Sequence, residues 1–122
     1  MHQNIRAALS FIAISIINKE EYDSIFDFSR SVHVLISGEI ANESVGVFDH
    51  ELNAHISGDY QQGSGALYHH GFQCHLSFEW DDSEFRGFVH GGEGGHLTGQ
   101  IQGDSISLFD HSNSTHYHFS VK

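Results

Sequence analysis

From Ser31 onward apolar and polar residues alternate at a period of two, the spacing of a β-strand with one dry face and one wet face. In the first such run Val32, Val34, Ile36, Gly38 and Ile40 share one side, and Ser31, His33, Ser37 and Glu39 share the other. Leu35 is the one apolar residue out of place. The longest alternation runs from His70 to Trp80 and puts Phe72, Cys74, Leu76 and Phe78 on its dry side. Shorter runs lie near 44–49, 54–60, 85–90, 96–102, 105–110 and 115–121, separated by turn-prone groups such as Asp81-Asp82-Ser83 and the glycine-rich stretch 91–95. Seven or eight half-polar strands with short turns predict a mostly antiparallel sheet. It must close into a small barrel or fold into a sandwich to take its apolar face out of water.

The first thirty residues follow a different period. Asn18 and Glu21 have the spacing of a capping box, Glu20 and Glu21 suit the positive end of a helix dipole, and Tyr22, Ile25 and Phe26 recur at helical spacing, which predicts a helix over about 19–30. Residues 3–17 are ambiguous: Ala7, Ala8 and Leu9 favour helix, whereas the β-branched Ile12, Ile14, Ile16 and Ile17 suit a buried strand. Helix is the preferred reading. The fold class is therefore α+β in one domain, 1–122, with a helical segment over 1–30 and a β-barrel or sandwich over 31–122. The helical segment would cover an open end or an exposed sheet edge.

An internal match accompanies the alternation. Residues 37–50 lie over 98–111 at an offset of 61, with Phe48-Asp49-His50 over Phe109-Asp110-His111 and His55 over His116. The unit reads as strand, tight turn at Asn42 or Gly103, strand, second turn and third strand. It is the kind of internal repeat from which small β domains are assembled.

Charge narrows the choice of partners. The chain has 122 residues and a formal net charge of −11; residues 31–122 hold only Arg86 and Lys122 against twelve acids. Such a surface repels phosphate backbones, so direct nucleic-acid binding is not expected. A partner with a basic face is favoured instead. The apolar run Ile5 to Ile17 is too short to span a bilayer. Its only basic residue is Arg6, at its start, and no small-residue cleavage site follows, so a cytoplasmic location is preferred over secretion. Cys74 is the only cysteine, which excludes an intramolecular disulfide.

Twelve histidines are the main compositional oddity. His116 and His118 share one strand face about 7 Å apart, His75 and Glu79 share the polar face of another strand, and His96 lies on a third. If those strands are neighbours, His75, Glu79, His96, His116 and His118 could hold zinc or a similar divalent ion. The alternative is that the histidines are solvated or bonded to nearby acids. Asp49 and Asp110 could each orient an imidazole as a general base. However, Asp at a strand end commonly bonds the next turn, and sequence neighbours on a strand point to opposite faces. Cys74, among apolar neighbours, reads as a buried small residue.

These features describe a non-enzymatic binding protein of inhibitor or immunity type, with Glu39, Glu43, Asp81, Asp82, Glu84 and Glu93 meeting a basic macromolecular surface. A homodimer is compatible with this reading. The rival is a small-molecule or metal-binding barrel built on the histidines; no other cofactor is implied.

Overall fold

The computed structural model describes residues 1–91 and 94–121. A helix, α1 (Gln3–Asn18), precedes ten strands: β1 (Ser24–Asp27), β2 (Val32–Ala41), β3 (Ser44–Asp49), β4 (Ala54–Gln61), β5 (Ser64–His69), β6 (Cys74–Asp81), β7 (Glu84–His90), β8 (Gly95–Gln102), β9 (Ser105–Asp110) and β10 (Thr115–Ser120). Each strand pairs with its chain neighbours, and β1 pairs with β10 through Phe26 and Asp27. The result is a closed antiparallel barrel, which solves the edge problem by closure.

The helix is inside that barrel. Every residue of α1 from Asn4 to Ser15 is buried. A helix lying on an outer surface keeps a wet stripe, and this one has none. It also touches the wall in several directions: Asn4 reaches Asp49 of β3, Arg6 reaches Asp110 of β9 and lies 3.8 Å over the Tyr117 ring of β10, and Leu9 faces Gly87 of β7. The expectation of a helix covering an end or an edge is thus corrected. Isoleucines at 12 and 14, read as possible strand residues, suit a helix that is apolar all round because Val34, Ile36 and Ile56 of the inner wall enclose it. The His2 Nδ1 accepts the Asn4 N–H at its start, and Lys19 ends it in a left-handed turn with φ 54°.

The expected helix over 19–30 is also corrected. Asn18 is the last residue of α1, and its amide donates to the Gly103 carbonyl and the Tyr22 hydroxyl. Residues 24–27 form β1, with Ile25 and Asp27 pointing in. This segment supplies the closing strand between β2 and β10, and those two ladders override a local capping signal. Ten strands replace the expected seven or eight because β1 and β5 were not read as strands. The run from His70 is a strand only from Cys74, and Phe72 lies in the preceding turn, 37% exposed. Cys74 points inward and is half-buried, and burial pushes its thiol above the ordinary range.

Four hairpins make up most of the wall: β2–β3, β4–β5, β6–β7 and β8–β9. Their registers agree, with Ser37 opposite Phe48, Ser57 opposite Tyr68, Ser77 opposite Phe88 and Thr98 opposite Phe109. The segments matched at an offset of 61 thus occupy like positions, the β2–β3 and β8–β9 hairpins. In the first, Asn42 and Glu43 both adopt positive φ, 55° and 65°, which is the two-residue turn that matches strand twist. Turns within hairpins lie at the end where α1 finishes, and turns between hairpins lie at the end where it starts.

Candidate functional site

At the end where α1 starts, the inner wall carries a ring of polar residues. Asp27, Asp49 and Asp110 are fully buried, each at the end of its strand. The Asp49 carboxylate accepts from the Glu51 N–H (2.9 Å), the Leu52 N–H (3.2 Å) and the Asn4 amide (3.2 Å). Asp110 accepts from the Ser112 N–H and hydroxyl and pairs with Arg6 at 3.3 Å. Burial pushes the Asp110 carboxyl up, but these hydrogen bonds and the nearby positive charge outweigh it and hold it below the usual range. Asp49 and Asp110, bonded to Asn4 and Arg6 in the first turn of α1, also lie at the positive end of its dipole. Asp49 and Asp110 therefore hold turns and seat the helix, Asp27 holds the turn at Ser29 and pairs with Arg30, and among the described residues no hydrogen bond joins any of the three to an imidazole. His69 takes the same position in β5, fully buried, with Nδ1 accepting from the Phe72 N–H and Nε2 without a partner. Burial, only partly offset by Asp49, keeps its imidazole below the ordinary value and hence neutral.

On the outside of the same end, histidines and aromatics form a girdle. Each hairpin contributes an aromatic ring, and in three of the four it is flanked by two imidazoles. Phe48 lies 4.9 Å from His50 and 4.7 Å from His55, Tyr68 lies 4.9 Å from both His70 and His75, and Phe109 lies 4.8 Å from His111 and 4.6 Å from His116. Phe88 stacks on His96 at 5.9 Å, and Phe26 of β1 meets His33 at 4.8 Å. A hydroxyl fixes one imidazole of each set: Ser37 to His50, Ser57 to His70, Ser77 to His90 and Thr98 to His111, at 2.7–3.1 Å. Adjacent sets then touch. His96 and His111 stack at 4.2 Å, His75 is paired with His90 across β6 and β7, and the His70 N–H donates to the His55 carbonyl.

The girdle was missed in the sequence although its signal is present. Ser/Thr, aromatic and two histidines recur at 37, 48, 50 and 55, at 57, 68, 70 and 75, at 77, 88, 90 and 96, and at 98, 109, 111 and 116. The offset of 61 spans three such steps of about twenty residues. Only its outermost members were read, because the middle hairpins diverge at their inward positions, where packing decides the residue.

The residues expected to bind metal are dispersed. β6, β8 and β10 are separated by β7 and β9, so His75, His96 and His116 do not converge. Glu79 instead pairs with Arg86 at 3.4 Å, and the His118 ring is bonded to the Ser107 hydroxyl. Among the described residues no three His, Cys, Asp or Glu side chains are grouped to hold an ion. The residues expected to meet a partner gather better. Glu39, Glu43, Asp81, Asp82 and Glu84 are all exposed at the end where α1 finishes, together with Asp59, Glu79 and Asp104. Glu93 lies outside the described residues. A groove of about 580 Å³ on the outer wall of β6–β10 is lined by Glu79, Asp81, Glu84, Arg86, Phe109 and His116, among others.

Comparison with family models, curated proteins and solved structures finds no match for this chain. No helix among the described residues is long and apolar enough to cross a membrane.

Proposed function

We propose that the protein is a non-enzymatic binding protein whose acidic barrel end engages a basic surface of a macromolecular partner in the cytoplasm. One observation carries the reading: eight exposed carboxylates from four hairpins gather at one end, where Lys19 and Arg86 are the basic residues among those described. Because α1 fills the lumen, the chamber in which barrels of this kind hold small ligands is occupied by the chain itself. Recognition is then left to the outer surface. Arg86 shares the groove with Glu79 in a pair exposed on both sides, which contributes little and leaves room for exchange with a partner's cation. The agreement of hairpin registers supports a companion inference, that the four hairpins are tandem copies of one unit.

The reading is tested with a lysine- and arginine-rich peptide as probe at neutral pH. Affinity should fall at least about tenfold between low and moderate salt, since exposed charges are screened beyond about 10 Å. A variant with Glu39→Gln, Glu43→Gln, Asp81→Asn, Asp82→Asn and Glu84→Gln should lose a similar amount. Binding indifferent to both changes would overturn the proposal.

A further inference from the structure

We propose that the imidazole girdle is a proton-operated docking surface for the acidic end of a second copy of this chain, so that barrels join head to tail as pH falls into the histidine range. The two poles are built from the same hairpins. In β3, His50 stands seven residues from Glu43, about 20 Å along a strand. That distance exceeds the Debye length of about 10 Å at 0.1 M salt, so the carboxylates of the far turns, Glu43, Asp82 and Asp104 among them, form a field of their own, while Glu39, Asp59 and Glu79 lie between the poles.

At neutral pH copies with a formal net charge of −11 repel one another. Histidine is the side chain whose charge changes between pH 5 and 8. Ten of the twelve histidines face outward on the wall or its rim near the start of α1, and the sequence pI is 5.3, so acidification removes net repulsion while it creates a positive belt. Each barrel becomes a dipole, with the belt at one end and the carboxylates, still ionised, at the other.

The groups facing the belt set how readily it charges. On the next outward position lie Glu39 (β2), Asp59 (β4), Glu79 (β6), Arg86 (β7), the neutral Gln100 (β8) and His118 (β10), and Glu51 sits in the turn after β3, paired with Arg30. Besides the imidazoles, Tyr68 is the titratable ring among the described residues of the belt. Glu39, Asp59 and Glu79 thus place negative charge beside the belt, and Arg86 and the close approach of neighbouring imidazoles, 4.2 Å between His96 and His111, bring positive charge to it. The aromatic rings beside eight of these imidazoles also accommodate a cation. Contact between unlike ends is heterologous and does not close on itself, so it extends into open chains rather than stopping at a dimer.

The proposal shares the acidic end with the reading above but rests on the girdle, and the two fail separately. Sedimentation velocity at about pH 7.5 and about pH 5.5 in low salt reads it directly. Wild type should be monomeric at the higher pH and form an extending series at the lower, dissolved again by added salt. Two variants separate complementary docking from loss of solubility near the isoelectric point: His75→Gln, His90→Gln, His96→Gln and His111→Gln in one, and Glu79→Gln, Asp81→Asn, Asp82→Asn and Glu84→Gln in the other. At the lower pH each alone should lose the extending series, and an equimolar mixture should form a heterodimer through the one intact pair of ends. Circular dichroism melts check that both variants are folded, and the milder His96→Gln, His111→Gln pair should weaken association without abolishing it. A monomeric wild type at the lower pH, variants that associate like wild type, or a mixture that does not pair would overturn the proposal. The histidine variant should leave basic-peptide binding at neutral pH unchanged, whatever the fate of self-association.

Discussion

His69 shows how a single inward position is tuned by its surroundings. It occupies the strand-end position held by Asp27, Asp49 and Asp110 in other strands and by Val89 in β7. It is fully buried, and its imidazole is held below the ordinary value chiefly by burial. The unfolded chain therefore takes up a proton on this residue before the folded barrel does. Its contribution is fully present above the unfolded value of about 6.5 and is lost as pH falls through the lower folded value. Replacing it by the residue of the equivalent position, His69→Val, should flatten the decline in unfolding free energy between about pH 7 and pH 5, measured by denaturant titration at each pH. An unchanged slope would mean that another group governs acid sensitivity. The polar character of this ring was visible in the sequence at Asp49 and Asp110, but its members at 27 and 69 were not: their partners Ser29, Arg30 and Phe72 are local, and it is the pairing of β1 and β5 with their neighbours that turns them inward.

At the level of elements, the contact between α1 and the wall is the decisive one. Gly87 of β7 faces Leu9, and a Cβ added there would stand 2.8 Å from the Leu9 Cδ1. The glycine makes room for the helix. Gly87→Ala should cost about 1–3 kcal/mol through overpacking, and Leu9→Ala about 2–5 kcal/mol through the cavity it leaves. In the double variant the added methyl fills part of that cavity. The combined loss, read from urea unfolding, should then fall short of the sum by at least about 0.5 kcal/mol, the coupling expected of residues in contact. Strict additivity would show that the helix does not press on β7. Strands of this barrel were legible wherever alternation was clean, as in β2, β3 and β9. β1 was misread because its short Ile25, Phe26 pattern fits either period, and only the ladders to β2 and β10 choose between them.

For the whole molecule, a helix enclosed by ten strands cannot open to solvent while the barrel is shut. Amide protons of α1 should therefore exchange only through global unfolding, with the free energy of exchange for residues 7–14 equal to the unfolding free energy from denaturant. Exchange of α1 at a clearly lower free energy would reveal a barrel that releases its plug. The same enclosure leaves a carboxylate end and an imidazole girdle on the outside of the wall. By itself the sequence determined the β period, the turns and the excess of acids, because these depend on neighbours two or three residues apart. Whether the apolar N-terminal run lay on the barrel or within it, how many strands closed the wall, and which histidines came to touch were decided by the tertiary structure. Those outcomes depend on closure, which brings residues one hundred positions apart, such as Arg6 and Asp110, into one contact that no local pattern encodes.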